Sequence, residues 1–387
     1  MSSTIKVLQV IPKLGFGGAE TGCYDLAHYL AEENCKSFLI TSGGELLKHV
    51  RRDKVKVIYL PVQSKNPIII FFNFIIIFFI LLIYKIDIVH ARSRAPAWSC
   101  LWACFFSGKK FVTTFHGTYN FSGKLKQFYN SIMVRSKIII AGSNFIFNHI
   151  NENYQKYLNL KKQKLMVIFR GINLEYFNKK NILEKKLNDL ALDWKVDRKK
   201  FIILLPGRLT RWKGQENFIE ALNLLSEEYN IENFLAIILG SNQGREVYSK
   251  KLSLLVERYR LGKKITFIEH FKEMPLAYAL SNLVVSSSIE PEAFGRVTVE
   301  AMSMSKVVIV NDLGASSEVL SNSDWVFSHN IVESLTQKID IAVGLNVEKA
   351  QEIGVANRSR AISFYNIEKL IEGHLQVYKS IIKAKQV

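Results

Sequence analysis

Cysteine is scarce in this sequence, which limits the covalent and metal chemistry that the chain can support. Its cysteines are Cys23, Cys35, Cys100 and Cys104 in 387 residues. Cys100 and Cys104 lie in an apolar stretch with no histidine or further cysteine at the spacing of metal ligands, which argues against a metal site. We therefore expect buried free thiols in a reducing compartment.

Several signals of unusual chains are also missing. The sequence has no low-complexity tract, no repeat at a solenoid period and no long run of like charges. No secretory signal peptide is predicted, because Lys6–Val10 already has the pattern of a first strand. With 48% hydrophobic and 12% aromatic residues, the composition is that of a folded globular protein. A chain of 387 residues favours two domains of about 190 residues each.

Acidic residues are few relative to basic ones. The 34 Asp and Glu residues stand against 52 Lys and Arg, which gives a formal net charge of +18. Such a charge favours nucleic acid, anionic lipid headgroups or phosphorylated substrates as partners. The basic residues are spread along the chain, without the aromatic-interleaved cluster of a nucleic-acid binder. We therefore predict no nucleic-acid partner and favour the other two classes.

One apolar run, Ile68–Tyr84, comes close to a membrane span. A helix of its 17 residues covers about 25 Å, whereas the hydrocarbon core of a bilayer is about 30 Å thick. The segments before and after it have the pattern of parallel strands, which a spanning helix would separate. We expect a helix inside the domain, with an outer face suited to dip into a bilayer. Phe71, Phe74 and Phe78 recur at helical spacing, which suits either a lipid-facing surface or the domain core.

Short apolar runs alternate with helical patterns along both halves of the chain. A polar connection around residues 178–200 separates two such series. Two βαβ series joined by one linker predict an α/β protein with two doubly wound, Rossmann-like domains facing a cleft. The predicted strands are Val7–Val10, Ser37–Ile40, Val55–Leu60, Asp87–His90, Phe111–Thr114, Lys137–Ala141, Met166–Phe169, Phe201–Leu205, Leu235–Leu239, Ile265–Ile268, Leu283–Val285 and Val307–Val310.

A glycine turn, Gly15–Glu20, follows the first predicted strand. A dinucleotide fingerprint would need a third glycine where Glu20 stands, and no Gly-Lys-Ser/Thr follows, so neither a nicotinamide site nor a P-loop is supported. What remains is a turn at the carboxyl end of a parallel strand, where the backbone of Gly17 and Gly18 can approach a ligand closely. A merely tight turn explains the pattern equally well.

The loop Gly207–Gly214 follows the first strand of the second series and carries two cations of interest. Arg208 ends the strand and Lys213 begins the next helix, so both are predicted to project into the cleft. A diphosphate leaving group gains negative charge as its glycosidic bond breaks, and fixed cations beside a helix N-terminus stabilise that charge without a metal. A solvated basic loop is the alternative.

Two carboxylates, Glu292 and Glu300, flank the Phe294–Gly295 turn. Free backbone N–H groups at such a turn point at a bound ligand. Carboxylates accept hydrogen bonds from sugar and ribose hydroxyls, so the segment suits a nucleotide sugar. A hydrolase with paired carboxylates is conceivable, although it would not need the cations of the preceding loop.

Together these segments resemble the retaining GT-B glycosyltransferases of family 4. Phe169–Asn173 departs from the family's usual Pro-Asn-Gly-Val-Asp at several positions, so the resemblance assigns no role to Arg170. The matching segments run in order between about residue 5 and about residue 320 and are Gly17–Glu20, Thr113–Gly117, Val167–Asn173, Gly207–Gly214 and Glu292–Glu300.

The resemblance implies roles for residues of the second domain. Arg208 and Lys213 would hold the donor diphosphate, and Glu300 the ribose hydroxyls. Glu292 would contact the transferred sugar, helped by the backbone of Phe294–Gly295. Glu292, Arg208 and Lys213 would thus take part in catalysis as well as in binding.

The resemblance also implies roles elsewhere. Gly17 and Gly18 would approach the diphosphate from the first domain, and His116 would lie near the reacting sugar and the acceptor. Without its motif, His116 would be taken for a structural histidine. Phe271 would lie by the nucleobase, and Glu318 is expected to be structural.

The domains implied are 1–178 on the acceptor side, 179–365 for the nucleotide sugar, and a C-terminal helix in 366–387 that packs back on the first domain.

The predicted activity is transfer of a hexosyl unit from a nucleotide-diphosphate sugar, with retention and without metal or cofactor. A glycan or glycolipid acceptor is expected: a lipid-linked sugar, a lipopolysaccharide or a polysaccharide. We expect a cytoplasmic protein peripherally bound to the anionic cytoplasmic face of a membrane. The alternatives are a nucleotide-sugar epimerase or hydrolase, and a non-catalytic membrane-associated protein that binds nucleotide sugars.

Overall fold

The computed structural model describes residues 4–15, 17–33, 35–119 and 123–383. Phe16, in the predicted glycine turn, lies outside the described residues. The chain divides into two compact units. The first unit comprises the residues up to Gly171 together with those from Ile367 onward, and the second is Ile172–Asn366.

A parallel sheet organises the first unit. Its strands are β1 (Lys6–Val10), β2 (Lys36–Thr41), β3 (Val55–Tyr59), β4 (Ile88–Ala91), β5 (Lys110–Phe115), β6 (Ile138–Ala141) and β7 (Lys164–Val167). In the described residues they lie in the order β3-β2-β1-β4-β5-β6-β7, with every adjacent pair parallel. The order changes direction at β1, where doubly wound sheets place their ligands beyond the carboxyl ends of the strands.

Helices connect these strands and cover the sheet. They are α1 (Gly18–Glu32), α2 (Pro67–Ile83), α3 (Arg94–Ser107), α4 (Lys124–Asn130) and α5 (Asn144–Tyr154). α1 begins directly at the glycine turn, so the N–H groups of its first turn lie at the carboxyl end of β1. Gly108 ends α3 in the left-handed conformation, with a φ of 66°, as is usual for a glycine C-cap.

The second unit repeats this design. Its strands are β8 (Phe201–Pro206), β9 (Phe234–Leu239), β10 (Ile265–Ile268), β11 (Leu283–Ser286), β12 (Val307–Asn311) and β13 (Val326–Phe327). The described strands lie in the order β10-β9-β8-β11-β12-β13 and pair in parallel. The helices are α6 (Glu184–Asp193), α7 (Gln215–Glu227), α8 (Glu246–Arg258), α9 (Met274–Leu280), α10 (Arg296–Ser303), α11 (Ala315–Leu320), α12 (Val332–Val343) and α13 (Val347–Phe364).

The last helix, α14 (Ile367–Lys383), belongs to the first unit. Its apolar face forms one buried cluster with residues of the first sheet, including Val7, Ile88 and Ile140. The hydroxyl of Tyr378 also lies 2.7 Å from Nδ1 of His90 on β4. The chain therefore completes the core of its first unit with its final helix.

The boundary between the units differs from the predicted 178/179. The N–H of Ile172 donates to the carbonyl of Tyr365 at 2.9 Å, and Ile172 pairs with Asn366 in an isolated bridge. These backbone contacts place residues 172–178 in the second unit, because both partners belong to it. Asn366, predicted to start the C-terminal segment, also lies in the second unit.

The apolar helix α2 lies against α3. Asn73 is buried and donates from Nδ2 to the carbonyl of Pro61 at 3.2 Å, while the Ser99 hydroxyl of α3 donates to the carbonyl of Ile70 at 2.8 Å. Of the three phenylalanines with helical spacing, Phe71 is exposed whereas Phe74 and Phe78 are half-buried. Across the described residues, no helix is both long enough and apolar enough to cross a bilayer.

Candidate functional site

Two loops of the second unit meet beyond the carboxyl ends of the neighbouring strands β8 and β11. Gly214, at the end of the first loop, has a φ of 72°, and a Cβ there would lie 1.9 Å from the carbonyl oxygen of Ser287 in the second loop. The Ser287 hydroxyl donates to the carbonyl of Gly214 at 3.0 Å. Glycine is therefore required at 214 both by its conformation and by this contact.

Lys213 and Glu292 form an ion pair between these loops. Nζ of Lys213 lies 2.6 Å from Oε1 of Glu292, and the two side chains are 13% and 10% exposed. The Ser288 hydroxyl donates to the same carboxylate oxygen at 2.6 Å. The ammonium also lies 4.3 Å from the centre of the Trp212 ring. These contacts hold the two charged groups in one place.

The backbone of Glu292 is fixed as firmly as its side chain. Its carbonyl accepts a hydrogen bond from the N–H of Ala315 at 2.8 Å, and it pairs with Gly314 in an isolated bridge. Gly314 has a φ of 81°, and a Cβ there would lie 2.6 Å from the backbone nitrogen of Glu292. The loop after β12 thus holds the loop that carries Glu292.

The turn Phe294–Gly295 leads into α10. Gly295 caps the helix with a φ of 78°, and a Cβ there would lie 2.7 Å from Oγ of Ser316. The Phe294 side chain is 3% exposed and packs on Tyr365, with 5.7 Å between ring centres. The Phe294 side chain is therefore part of the packing of the second unit.

Glu300 lies on α10 and is 6% exposed. Its Oε2 accepts a hydrogen bond from the Tyr278 hydroxyl at 2.8 Å, and its Oε1 accepts one from Nε of Arg296 at 2.6 Å. Burial, together with the adjoining carboxylate, raises the pKa of the Tyr278 phenol well above its usual value. Tyr278 therefore stays protonated and donates to Glu300 at neutral pH.

Arg208 and Phe271 stand apart from this ion pair. The exposed Arg208 reaches Oε1 of Gln243 from Nη1 at 3.5 Å, while its carbonyl accepts a hydrogen bond from Gln215 at 2.9 Å. Phe271 is half-buried against Trp194, with 4.9 Å between ring centres. In the described part of the chain, neither residue has a hydrogen bond or ion pair with Lys213 or Glu292.

A second group of predicted residues lies beyond the carboxyl ends of β1, β5 and β7 in the first unit. Gly17 caps α1 and Gly18 is its first residue. A Cβ on Gly18 would lie 2.9 Å from Nη1 of Arg170, so the guanidinium uses the space that this glycine leaves. Nη2 of Arg170 donates to Nδ1 of His116 at 2.9 Å and to its carbonyl at 3.0 Å.

His116 is a neutral imidazole in this setting. Burial, followed by the cations Arg170 and Arg92, holds its pKa well below the usual range. Since Nδ1 accepts from Arg170, the proton of the neutral ring is assigned to Nε2. Nε2 is buried, and none of the described residues accepts a hydrogen bond from it. A buried donor without an acceptor is unusual in a folded protein.

Sequence reasoning missed several residues of these sites. Arg296 could have been found, because it stands four residues before Glu300 on one helix and the two charges are opposite. No sequence signal marks Tyr278, which reaches its partner through tertiary structure. Arg170 lies in a segment that matches the family, but it was left without a role because that segment departs from the usual motif. Within the described ranges, no group of three or more His, Cys, Asp or Glu side chains is arranged to hold a metal ion.

Known proteins match both units. Residues 16–176 match the model of Glycosyltransferase Family 4, and residues 191–360 match that of Glycosyl transferases group 1. The crystal structure of a glycosyltransferase from Rickettsia africae ESF-5 is 35% identical, covers 98% of this chain and 99% of its own, and has a TM-score of 0.90.

More distant relatives extend the likeness. HepE of Anabaena, crystallised with UDP and glucose, is 19% identical, with a TM-score of 0.82 and coverage of 97% of this chain and 100% of its own; at that identity the likeness is one of fold. A subunit of phosphatidylinositol N-acetylglucosaminyltransferase from Saccharomyces cerevisiae is 23% identical over 346 residues, which is 86% of this chain and 74% of its own. Because the 35% identical relative aligns over nearly the whole chain and both halves match the family models, the chain belongs to the GT-B glycosyltransferases of family 4 and group 1 and is a transferase enzyme.

Proposed function

We propose that the protein transfers a hexosyl unit from a nucleotide-diphosphate sugar, with retention of configuration and without a metal or other cofactor. The proposed acceptor is a lipid-linked sugar, a lipopolysaccharide or a polysaccharide. The observation that carries the proposal is the shielded Lys213–Glu292 pair, 2.6 Å apart at the carboxyl edge of a Rossmann-like sheet. A diphosphate leaving group needs such a fixed cation when its bond to the sugar breaks.

The donor would be held by the residues around this pair. Lys213 and Arg208 would bind the diphosphate, and Glu292 would turn its carboxylate from Lys213 to the hydroxyls of the sugar. Each oxygen of Glu300 accepts one hydrogen bond in the structure and retains the capacity for a ribose hydroxyl. The N–H groups of the Phe294–Gly295 turn would donate to the donor at the start of α10.

UDP-hexose is the first donor to test. The relative HepE was crystallised with UDP and with UDP-glucose, and its fold is shared by this chain. Phe271 lies directly after Glu269 and His270 beyond β10, and this segment would line the base. Its half-buried ring would then support the backbone groups that read the base.

The first unit would contribute Gly17, Gly18 and His116. The glycine turn leaves the N–H groups of α1 accessible to phosphate oxygens. The Nε2–H of His116, which has no acceptor in the described residues, would donate to an oxygen of the sugar or the acceptor. A neutral imidazole suits this role because it donates without adding positive charge.

The acceptor side would lie at the anionic cytoplasmic face of a membrane. We define the α2–α3 apolar surface as six exposed residues: Ile68 (65%), Phe71 (51%), Phe72 (58%), Phe79 (55%), Phe105 (78%) and Phe106 (64%). Exposed aromatic side chains on helices, combined with a net charge of +18, favour an anionic lipid surface. A lipid-borne acceptor agrees with the phosphatidylinositol named for the distant relative.

A panel of UDP-, GDP- and ADP-sugars tests the proposal. A donor that binds the native state raises the unfolding temperature by mass action, and we expect one nucleotide class to do so. The protein should then consume this donor in the presence of membrane glycolipid. Donor turnover at the same rate without any acceptor would favour a hydrolase or epimerase, and no stabilisation by any of the donors would count against a donor site.

A further inference from the structure

Two glycines on α1 lie beside two arginines. Gly18 and Gly22 stand one helical turn apart and therefore share a face. A Cβ on Gly18 would lie 2.9 Å from Nη1 of Arg170, and a Cβ on Gly22 would lie 3.6 Å from Nη2 of Arg92. The two guanidinium groups thus lie against the first turns of the same helix.

Arg92 lies just after β4, and its burial is unexpected for a charged residue. It is 4% exposed, and its side chain donates one hydrogen bond within the described residues, from Nη1 to Oε1 of Gln9 at 3.0 Å. Its buried Nε has no acceptor, and no described carboxylate lies within 4 Å of the guanidinium. A buried charge without a counter-ion is costly, so an arginine held here calls for an anion that the chain itself does not supply.

The surroundings add to the positive potential. The N-terminus of α1 carries partial positive charge from its unsatisfied N–H groups. His116, His90 and His374 have pKa values held below the usual range by burial, with Arg92 adding to the effect on all three. The nearby carboxylate is that of Glu20 in the first turn of the helix, whose Oε2 would lie 2.1 Å from a Cβ on Gly17.

We propose that Arg92, Arg170 and the first turn of α1 form an anion-binding site in the first unit that takes a phosphate or carboxylate group. One side of the Arg92 guanidinium is formed by Nε and Nη2. This side can donate two parallel hydrogen bonds to a single oxyanion. Two sources share this chemistry: the diphosphate of the donor and an acidic group on the acceptor. The choice of source rests on the proposed transferase function, whereas the site itself does not.

Inorganic phosphate is the probe for the site. To silence the anion site of the second unit, phosphate is titrated against the full chain carrying Arg208→Gln, Lys213→Gln and Glu292→Gln, which removes both charges of the ion pair together. The unfolding temperature is the readout. We expect phosphate to stabilise this background, and Arg92→Met to weaken the apparent affinity about tenfold or more. Arg51→Met, which removes an exposed arginine of the same unit, is the matched control and should leave the affinity unchanged. No stabilisation of the background, or equal affinity in a folded Arg92→Met chain, would overturn the proposal.

A second variant guards against a simple loss of folding. Gly18→Ala keeps every charge but would place a methyl group 2.9 Å from Nη1 of Arg170, so this guanidinium has to move; the corresponding change at Gly22 would make only an ordinary contact with Arg92. Alanine favours a helix over glycine, so the fold should be kept. Phosphate affinity should still fall by at least tenfold, and unchanged affinity in this variant would also overturn the site.

The two sources are separated in the otherwise native chain by titrating UDP. If Arg92→Met weakens UDP binding as much as phosphate binding, the site takes the donor diphosphate. If UDP binding is unchanged while phosphate binding in the silenced background is lost, the site takes an acidic group of the acceptor. Either result supports the site. Failure of all nucleotide sugars to bind, with phosphate binding intact, would contradict the proposed function and leave the anion site standing.

Discussion

Nζ of Lys213 and Oε1 of Glu292, 79 residues apart in the chain, lie 2.6 Å from each other. The two side chains are only 13% and 10% exposed. Water therefore cannot solvate either charge well if its partner is removed. Removing the Glu292 carboxylate leaves the shielded Lys213 ammonium without its ion pair, which costs about 3 kcal/mol or more. Mutations of this pair therefore mix stability with catalysis, and the donor site is better tested first through its exposed cation.

Arg208→Ala should lower turnover roughly 100-fold or more, because the guanidinium is proposed to stabilise charge that grows in the transition state. The side chain is exposed, so the free energy of unfolding should change by less than about 0.5 kcal/mol. Turnover with the identified donor and circular dichroism measure the two effects. Arg211→Ala, in the same loop, is the matched control and should retain normal turnover. Near-normal turnover of Arg208→Ala would remove Arg208 from the site.

The two glutamates should separate nucleotide binding from sugar transfer. Glu300→Gln should weaken binding of bare UDP, since a ribose contact does not depend on the sugar. Glu292→Gln should bind UDP as well as before or more tightly, because Lys213 is released from its ion pair, and should transfer sugar poorly. Calorimetry with UDP and with the nucleotide sugar distinguishes the two. The opposite pattern would exchange the roles.

Tyr278→Phe provides the control for Glu300. It removes the hydroxyl that donates to Oε2 at 2.8 Å while leaving the carboxylate in place. We expect weaker UDP binding than in the native chain but stronger binding than in Glu300→Gln, with a loss of about 1 kcal/mol in unfolding free energy. UDP binding equal to that of the native chain would show that Tyr278 does not position Glu300.

Both sheets could be predicted from the sequence because their strands are buried on both faces. Runs such as Ile203–Leu205 or Val307–Val310 are apolar at every position, and the structure places them in β8 and β12. β13 was missed, since Val326–Phe327 is too short to give a pattern. The domain boundary was misplaced because the pairing of Ile172 with Asn366 links residues far apart in the sequence.

The candidate site was predictable only in part, because some of its contacts also join residues far apart in the sequence. Lys213, Glu292 and Glu300 follow strand ends, where parallel sheets gather ligand-binding groups, so their approach to one edge could be expected. Arg170 was left without a role because its segment departs from the family's usual motif. The sequence also does not connect it to its partners, His116 and Gly18, which follow other strands. Exposure also escaped prediction: helical spacing alone could not tell the exposed Phe71 from the half-buried Phe74.

Membrane binding should depend on the exposed phenylalanines and not on the half-buried ones. Replacing Phe72, Phe79 and Phe105 by Ser should lower binding to anionic vesicles at least tenfold, because each ring loses its burial in the lipid interface. Stability should be nearly unchanged, since these rings are exposed. Phe74→Ser is the comparison: its ring lies 5.6 Å from that of Phe106 and 6.0 Å from that of Trp102, so its loss should cost roughly 2 kcal/mol of folding free energy.

The salt dependence of this binding distinguishes a peripheral protein from an inserted one. Attraction between basic residues and anionic lipid is worth about 1 kcal/mol per residue and is screened by salt. We expect cosedimentation with anionic vesicles at low ionic strength and release by high salt or carbonate. Retention through carbonate extraction would contradict peripheral binding, and equal binding of the triple Ser variant would place the lipid contact elsewhere.

Acid should destabilise the first unit through its buried neutral histidines. Burial, with Arg92 nearby, lowers the pKa of His374 to about 3, while its Nδ1 bonds to the carbonyl of Leu370 at 2.7 Å. Below about pH 6.5 the unfolded chain binds a proton at this residue that the folded chain does not, so the unfolding free energy falls as pH falls from about 6.5 to about 3. The slope contributed by one such histidine is at most about 1.4 kcal/mol per pH unit.

His374→Gln, which retains a donor for the carbonyl, should therefore lose less stability between pH 6.5 and 4.5 than the native chain, as measured by thermal unfolding across that range. Replacing the exposed His49 by Gln should leave the native slope, and a His374→Gln chain with that same slope would show that His374 is not the group that titrates.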